Sequence, residues 1–521
     1  MFFGKHFLVY RFLLNKRHLG LVLFVAITSG GRFALAQKPT KESLLANAQK
    51  TAQKYCQSCH SFPAPALLDK ATWVNRVLPN MAWRLGLRPN NQDPYTDLPP
   101  EEVALIKAAG VYPETPAISE QDWQSIVQYY ESLAPELPPK PTKSIEISDE
   151  LPLFTVAGYK IHDKAISQTT LLKYQPSTAL LYVGDAQKEL YVLDSTLAMK
   201  AIWSLAHPAT DIDFPPNSPP RLLTIGVFNP SEQRLGELFV LDTVMRQPYI
   251  PNLPRPVSFA VADLNQDGTD DFVVCNFGNH TGQLVWYESG DTTKKHVLKN
   301  LPGARKVEIV DLNNDQRPDI VALMAQAYES VVVFYNQGNG QFIEKTVLQF
   351  SPVFGASYFE LADFNGDKKL DILLTNGDNW DFSSVPKAFH GVRIFLNNGK
   401  ASFNESWFFP LYGTSKAVAR DFDHDGDLDI AAISFYDDLE KPEHSFVFLA
   451  NHGNLSFTAH TTSQAASGKW LTMETGDFDH DGDDDIVLGS YFQNIGELYK
   501  LVAHGIMSFP QLLLFKNNLK K

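Results

Sequence analysis

Hydrophobic and polar residues recur with a helical period near the start of the chain. Between Glu42 and Tyr55, apolar or small residues return every three to four positions, which is typical of an amphipathic helix. A second helix is indicated by Ser119, a capping residue, with Asp122 three positions later. The apolar face that follows consists of Trp123, Ile126, Val127, Tyr130 and Leu133. The pattern therefore predicts a small helical region.

Apolar runs of strand length replace the helical stripes further on, and an aspartate-rich phrase recurs five times among them. Successive phrases begin 48, 52, 58 and 56 residues apart. A period of about 50 residues with strand-like contents predicts a propeller in which each repeat is one four-stranded blade. Two degenerate blades are expected before them, at 180–185 and 222–227, with Asp211 and Asp213 as a vestige of the phrase. The prediction is seven blades, with six or eight left open because the first and last blades can share strands.

Each phrase places side-chain oxygens at its positions 1, 3, 5 and 9, which suits calcium. The predicted ligands are Asp263, Asn265, Asp267, Asp271, Asp311, Asn313, Asp315, Asp319, Asp363, Asn365, Asp367, Asp371, Asp421, Asp423, Asp425, Asp429, Asp477, Asp479, Asp481 and Asp485. Magnesium ranks second because it demands a stricter octahedron. An EF-hand is excluded, since an apolar residue occupies its glutamate position in every phrase. Up to five calcium ions are expected, as staples of blade hairpins rather than as catalytic centres.

These phrases resemble the FG-GAP or VCBS repeats, whose calcium loops lie between the blade strands of propellers such as that of the integrin α chain. The resemblance covers residues 255–500. The chain departs from the family at Gln316 and Lys368, which replace the glycine of position 6. This puts the tight turn in doubt, so the second and third loops are expected to bind weakly. Position 7 contributes a backbone carbonyl, and its side chain is expected not to matter for ligation.

The helical region carries the sequence C-x-x-C-H at residues 56–60, the attachment signature of c-type haem. In such a site, Cys56 and Cys59 bond the porphyrin and His60 ligates the iron. A redox dithiol and half of a zinc site are the alternatives, but there is no second cysteine pair, and a thioredoxin-like motif has no need of His60. The third cysteine, Cys275, lies in an apolar run and is expected to be a buried free thiol.

Met81 is the candidate sixth ligand, because it is the only methionine between residues 61 and 140, where there is also no histidine. The alternative is that Met81 fills the core and the iron is open or water-bound. The motif and the two helices together resemble the terminal helix pair of a class I cytochrome c, over about residues 40–135. The segment around Met81 resembles the methionine loop of that family, although its distance from His60 is short. The resemblance implies one covalent haem c.

The first 36 residues have the features of a removable secretory signal: five basic residues, no acidic one, and a small-x-small end at Ala34 and Ala36. Their apolar stretch, 19–27, is shorter than the roughly 20 residues of a spanning helix. No membrane span is therefore expected after cleavage, and the location is predicted to be periplasmic or secreted. The proline-rich segment 135–150 is expected to be an extended linker between a small all-α cytochrome c domain (37–134) and an all-β propeller (151–521).

Charge and surface pattern restrict the partners. The formal net charge is −14, and the chain is more acidic without its signal, which excludes nucleic acid and anionic lipid. The strands that leave the calcium loops end on the opposite face, where polar and aromatic residues suit a sugar or peptide ligand. Those residues are Asn276, Asn279, His280, Asn376, Asp378, Trp380, Tyr436, Asp437, Tyr491 and Gln493.

The sequence favours an exported mono-haem electron-transfer protein, in which the calcium-stabilised propeller is a docking or recognition scaffold. Its partner is expected to be a redox protein or a small electron donor or acceptor. The first alternative is a haem-linked oxidoreductase or polysaccharide-processing enzyme with its active site on the propeller. The sequence offers little support for an enzyme, because it shows neither a nucleophile with a paired base nor a phosphate-binding loop. The second is a calcium-dependent adhesion or carbohydrate-binding module, which leaves the haem motif unexplained.

Overall fold

The computed structural model describes residues 40–140, 146–164, 166–242, 248–379, 383, 385–399 and 402–519. The predicted secretory signal and Trp380 lie outside the described residues. Contacts divide the chain into two units, Met1–Leu44 and Leu45–Lys521, and everything below concerns the second unit and the helix that begins at Lys41. Of the helices described, none combines the length and apolarity needed to cross a membrane.

Five helices form the region before the propeller. They are α1 (Lys41–Cys56), α2 (Lys70–Thr72), α3 (Leu78–Arg84), α4 (Pro100–Ala108) and α5 (Glu120–Leu133). A π-helical turn, Trp73–Val77, joins α2 to α3. Both predicted helices are present, and the Ser119 hydroxyl accepts a hydrogen bond from the Asp122 N–H (3.1 Å) at the start of α5. The helical prediction from periodicity and capping is confirmed.

Aromatic contacts hold the loop after α1 against α5. The rings of Trp73 and Tyr130 lie 4.4 Å apart, and both side chains are almost fully buried. Trp73 Nε1 donates to the Pro65 carbonyl and Tyr130 Oη to the Pro63 carbonyl, each at 2.8 Å. Burying each ring contributes roughly 1.5–3 kcal/mol. Tyr55 Oη also donates to the Asp122 carboxylate (3.0 Å) and so ties α1 to α5.

The rest of the described chain forms seven β-sheets, each one blade of a propeller. Two short strands come first, β1 (Ile147–Ser148) and β2 (Phe154–Tyr159). Blades 1 to 3 contain β3 (Thr169–Gln175), β4 (Leu180–Asp185), β5 (Glu189–Leu193), β6 (Met199–Ser204); β7 (Ala209–Asp213), β8 (Arg221–Thr224), β9 (Gly236–Val240), β10 (Pro248–Leu253); β11 (Pro256–Ala262), β12 (Asp271–Asn276), β13 (Gln283–Tyr287) and β14 (Lys295–Lys299). Blades 4 to 7 contain β15 (Ala304–Val310), β16 (Asp319–Met324), β17 (Ser330–Asn336), β18 (Phe342–Gln349); β19 (Ala356–Ala362), β20 (Asp371–Asn376), β21 (Gly391–Asn397), β22 (Phe403–Pro410); β23 (Thr414–Arg420), β24 (Asp429–Ser434), β25 (Phe446–Asn451), β26 (Phe457–His460); β27 (Trp470–Gly476), β28 (Asp485–Ser490) and β29 (Leu512–Asn517).

The ring closes through the N-terminal strands. Strand β2 pairs antiparallel with β29 and supplies the fourth strand of blade 7. Strand β1 adds to blade 6 by pairing parallel with β26, so the segment predicted as linker ends as an edge strand. Because first and last blades are joined in this way, the blade count is seven, as predicted. The domain boundaries themselves stay a prediction.

The structure differs from the sequence prediction at Asp211 and Asp213 and contains one additional helix. Asp211 and Asp213 are not a vestigial loop, because both lie on β7. Asp213 accepts a hydrogen bond from Arg221 Nε (2.7 Å), whereas Asp211 accepts from the Phe259 N–H (3.1 Å). A helix that the sequence analysis missed, α6 (Ile495–Ala503), interrupts blade 7 between β28 and β29.

Candidate functional site

The helical region packs on the propeller face opposite the aspartate-rich loops. In blades 3 to 7 those loops connect the first strand to the second, whereas the contacts come from loops at the other ends of the strands. The Ser61 hydroxyl donates to the Phe350 carbonyl (2.7 Å), and Val353 belongs to the same hydrophobic cluster as Trp73 and Tyr130. The structure therefore shows the helical region docked on the propeller.

A buried carboxylate anchors this interface. Glu102, in the first turn of α4, accepts hydrogen bonds from Ser231 Oγ (2.7 Å), the Glu232 N–H (2.8 Å) and Gln233 Nε2 (3.3 Å) of blade 2. Burial raises the pKa of Glu102, but the three hydrogen bonds to it outweigh burial, and the pKa lies below its ordinary value. Glu102 is therefore held ionised, as an acceptor for three propeller donors.

A second contact continues from the first. Glu232 accepts hydrogen bonds from the His280 N–H (2.5 Å) and the Thr281 N–H (3.2 Å) of blade 3. Arg84 Nη2 lies 3.3 Å from His280 Nδ1, and arginine can only donate, so Nδ1 is the acceptor. Tyr112 Oη lies 3.4 Å from the other ring nitrogen. Burial, reinforced by the Arg84 charge, lowers the pKa of His280, which keeps this ring neutral between the two domains.

A cavity of about 1950 Å³, here called the chamber, lies between the helical region and the propeller. Its helical wall includes Cys56, Cys59, His60 and Met81. Trp73 and Tyr130 lie on the same wall and make it largely apolar. The structure thus brings all four residues of the predicted haem site to one cavity.

The local fold after α1 presents the two thiols and the imidazole. Cys56 is the last residue of α1, and the Ser58 hydroxyl donates to the Tyr55 carbonyl (2.6 Å), which turns the chain after the helix. Both cysteines are free thiols, and burial raises the pKa of Cys56 to about 11. Cys275 is also free and fully buried on β12, as predicted.

His60 has the hydrogen bond that a metal-ligating imidazole uses. Its Nδ1 lies 2.9 Å from the Ser61 carbonyl oxygen, which can only accept, so Nδ1 carries the proton. The lone pair is then on Nε2, the nitrogen left for a metal. Burial is the largest cause lowering the pKa of His60, which favours the neutral ring.

The propeller wall of the chamber is built from the face predicted to bind a partner. Asn279, His280, Asp378, Tyr491 and Gln493 line it, as does Tyr436. Three further residues of that prediction have structural roles instead: Asn276 is buried, Asn376 donates to the Phe354 and Phe389 carbonyls, and Asp437 forms a buried ion pair with Lys469. What covers this face in the described structure is the chain's own helical region.

Glu329 was missed by the sequence analysis. Its carboxyl group is 3% exposed, lines the chamber and accepts a hydrogen bond from the Ala356 N–H (2.9 Å). Burial raises the pKa of Glu329 to about 8, so it is mostly protonated at neutral pH. A lone glutamate before a strand carries no sequence signal of this burial, which arises from the packing of blade 4 against blade 5.

The aspartate-rich loops fall into two groups. In the fourth and fifth loops, the carboxylates of Asp421, Asp423 and Asp425 and those of Asp477, Asp479 and Asp481 form triads whose oxygens lie within 4.8 Å of one another. Among the described residues, Asp421 Oδ1 and Asp477 Oδ1 are buried without a hydrogen-bond partner. Both triads could hold a calcium ion, because clustered carboxylates are what such a cation neutralises. In the fifth loop, Lys516 also pairs with Asp479.

In the first three loops, both carboxylate oxygens of the first aspartate accept hydrogen bonds from backbone N–H groups of the same loop. Both oxygens of Asp263 accept backbone N–H groups, from Asp267 (3.0 Å) and Gly268 (2.8 Å), and Asp311 and Asp363 do the same in their loops. In the second loop Arg317 pairs with Asp315 (2.5 Å), and in the third Lys369 pairs with Asp367 (2.6 Å). At position 7 of these two loops, a cationic side chain therefore neutralises one of the predicted ligands. Whether this changes ligation through the backbone carbonyl stays a prediction.

Position 6 adopts the required turn even without glycine. Gln316 and Lys368 both have φ of 65°, close to the left-handed conformation that Gly268, Gly426 and Gly482 adopt at φ of 88–96°. A non-glycine residue there costs about 1 kcal/mol, which the loop tolerates. The doubt about turn geometry is thus removed, whereas calcium binding by these two loops stays untested.

The aspartates of position 9 tie each blade together. Asp429 Oδ2 accepts the Phe422 N–H (3.1 Å) and Oδ1 accepts the Asn451 N–H (2.8 Å). The equivalent residues Asp271, Asp319, Asp371 and Asp485 make the same pair of bonds. Each is fully or almost fully buried, so these carboxylates link the loop to the end of the third strand, or to the residues just after it, whether or not they also ligate calcium.

Comparisons with known proteins agree with this architecture. The family model of the FG-GAP-like repeat matches residues 263–322, 311–374 and 421–488, which contain all five aspartate-rich phrases. No curated protein matches the chain. Similar solved structures include the Neurospora crassa Pan2 WD40 domain, which is 10% identical, covers 72% of this chain and 98% of its own, and has a TM-score of 0.45. BBS1N in complex with ARL6DN is 11% identical over 71% of this chain and 98% of its own, with a TM-score of 0.41.

The family match begins at residue 263 and ends at residue 488, and it does not reach the helices. The sheet topology extends the same architecture to both ends of the ring. The chain therefore carries FG-GAP-like repeats in a seven-bladed β-propeller, preceded by a short helical region.

Proposed function

We propose that this protein transfers electrons through one covalently attached haem c held at the helical wall of the chamber, with the propeller as its docking scaffold. The observation that supports this most is the C-x-x-C-H sequence at residues 56–60, placed at the end of α1 and facing the chamber. In this motif the two cysteines attach the porphyrin and the histidine is the proximal ligand, so Cys56, Cys59 and His60 are proposed for these roles.

The residues present fit such a group in three respects. Cys56 and Cys59 are unpaired thiols on the chamber wall, available for thioether formation. His60 keeps Nε2 free because Nδ1 is bound to the Ser61 carbonyl. The adjoining wall of Trp73, Tyr130 and their neighbours is apolar, as the faces of a porphyrin require. Met81 lies on the same wall and is the proposed sixth ligand, whose thioether raises the reduction potential relative to a second histidine.

The protein's own residues determine the environment. A haem bound there supplies a one-electron redox centre, and the chain supplies its ligands, its dielectric and its access. The propeller covers the chamber, while Glu102 and His280 hold the helical region in register with it. Arg84 and Arg305 also line the chamber, where they could pair with carboxylates of a bound cofactor, although Arg305 already pairs with Asp378 (2.6 Å).

Two further parts of the proposal concern calcium and location. Calcium is proposed at the fourth and fifth loops in the first place, with the other three as weaker sites. Export to the periplasm or the outside is proposed from the signal-like residues 1–36. The electron donor and acceptor are a redox protein or a small molecule that reaches the chamber edge.

Covalent haem retention tests this proposal. The full chain is exported in a host that attaches haem c, extracted with acid acetone, and assayed as the pyridine haemochrome. We expect one haem per chain in the wild type and in Cys275→Ala, which removes a cysteine outside the motif. We expect none in the Cys56→Ala/Cys59→Ala variant. Loss of all porphyrin from the wild type on extraction would refute the proposal.

A further inference from the structure

The chamber is larger than one cofactor site needs, and part of its propeller wall has unmet hydrogen-bonding capacity. Ligand pockets usually measure about 300–1,000 Å³. The chamber measures about 1950 Å³ and extends from the cysteines to the inner strands of the propeller. A porphyrin held by α1 therefore leaves room for a second molecule.

Two amide oxygens mark where that molecule would lie. In the described structure, Asn379 Oδ1 and Gln326 Oε1 are buried atoms without a hydrogen-bond partner. Asn379 is 7% exposed and its Nδ2 already donates to the Val353 carbonyl (2.7 Å), which fixes the orientation of the amide. Both residues line the chamber, on equivalent loops of the neighbouring blades 5 and 4. Buried acceptors without donors are costly, so their presence on a cavity wall points to a ligand that donates.

The loop that carries Gln326 lines the chamber and has an uncommon backbone conformation. Gln326 and Ala327 have φ of 54° and 74°, two successive non-glycine residues in the left-handed region. Such strain concentrates at sites where the surrounding structure uses it. Tyr328 and Glu329 follow directly, and both line the chamber. Cys59 lines the same chamber from the helical wall.

The chemistry of the ligand follows from the groups around these oxygens. Haem propionates accept hydrogen bonds when ionised and cannot satisfy amide oxygens. A carboxylate or phosphate group has the same defect, because it also offers only acceptors. An organic cation would meet Arg84, Arg255 and Arg305 on the same walls. Hydroxyl groups donate without charge, and Tyr328, two residues after Gln326, adds an aromatic ring of the kind that sugars stack on to the same wall.

We propose that Asn379 and Gln326 form part of a binding site for a neutral polyhydroxylated molecule, a mono- or oligosaccharide, on the propeller wall of the chamber. Glu329, three residues after Gln326, adds a buried carboxyl group to the same wall. The site does not require the haem, although a sugar bound there lies within the same cavity as the proposed redox centre.

Calorimetric titration of the full chain tests the site, with cellobiose, xylobiose and maltotriose as neutral probes. Gluconate and choline serve as the charged probes of similar size. We expect at least one neutral sugar to bind and neither charged probe to do so. Asn379→Leu and Gln326→Leu should each weaken that sugar about three- to tenfold, the value of one lost hydrogen bond. Gln341→Leu, an exposed glutamine on the opposite face, should leave binding unchanged.

Two controls keep the outcome unambiguous. Gln326→Leu removes an unsatisfied acceptor, so its melting temperature should equal or exceed that of the wild type, and weaker binding then reflects a lost contact rather than misfolding. Haem content is read from the absorbance of the same samples, so failure of the electron-transfer proposal and failure of sugar binding register separately. The inference is overturned if no neutral sugar binds at millimolar concentration, if a charged probe binds instead, or if the two leucine variants bind as the wild type does.

Discussion

Chelation of divalent cations lowers the melting temperature of the propeller by several degrees, and calcium restores it. A cation at 100 times its dissociation constant adds about 2.7 kcal/mol of stability per site. The two aspartate triads together therefore contribute about 5 kcal/mol. Calorimetry with EDTA, then with excess calcium or magnesium, measures the shift. Calcium should restore more of it than magnesium, because flexible oxygen ligands favour the larger ion.

Charge-removing variants assign this effect to particular loops. Asp421→Asn with Asp425→Asn should remove about half of the calcium-dependent stabilisation. The same pair of changes at Asp311 and Asp315 should remove little, since those carboxylates are already paired within their loop. In EDTA the sign should reverse for the fourth loop, because neutralising clustered carboxylates relieves their repulsion. Equal melting with and without chelator would mean that the loops are empty.

Glu102→Ala should release the helical region from the propeller while Glu101→Ala should not. Both substitutions remove one carboxylate from the first turn of α4, but Glu101 is exposed and Glu102 is buried against three propeller donors. Hydrogen bonds to an ionised group contribute about 1.5–3 kcal/mol each, and truncation leaves the donors buried without an acceptor. We expect a loss of about 3 kcal/mol or more, seen as a separate early melting transition.

Protease sensitivity and pH provide the accompanying readouts. Released helices should expose the 135–150 segment to proteolysis in Glu102→Ala but not in Glu101→Ala. Because the folded pKa of Glu102 lies below its ordinary value, its contribution is present above the unfolded pKa of about 4.5 and is lost as the pH falls through the folded pKa. The wild type should therefore undock in acid, whereas Glu102→Ala should show little further change. Identical digestion of both alanine variants at neutral pH would show that Glu102 does not hold the interface.

Local signals in the sequence predicted much of this structure because they depend on neighbouring residues. The Ser119 cap, the stripe of α1 and the aspartate-rich phrases each involve contacts within a few positions, and each forms the expected element. The seven-blade count followed from the repeat period. The sequence could not predict that β2 closes the ring, because β2 and its partner β29 lie near opposite ends of the propeller sequence.

Contacts between residues that are far apart in the chain could not be predicted from the sequence. Glu102 meets Ser231 across 129 positions, and Ser61 meets Phe350 across 289. The face expected to bind an external partner is instead covered by the helical region, a pairing that no local pattern encodes. Weak calcium binding by the second and third loops was expected from position 6, whereas the structure shows a different feature in them, the pairing of Arg317 with Asp315 and of Lys369 with Asp367. For the same reason the burial of Glu329 and Asn379 emerged only from the packed blades.

The most direct test of the proposed haem site is an anomalous difference map collected at the iron absorption edge from crystals of the exported protein. We predict one iron peak, bonded to His60 Nε2 and lying in the chamber between α1 and the propeller. A well-ordered chamber without iron density beside His60 would contradict it.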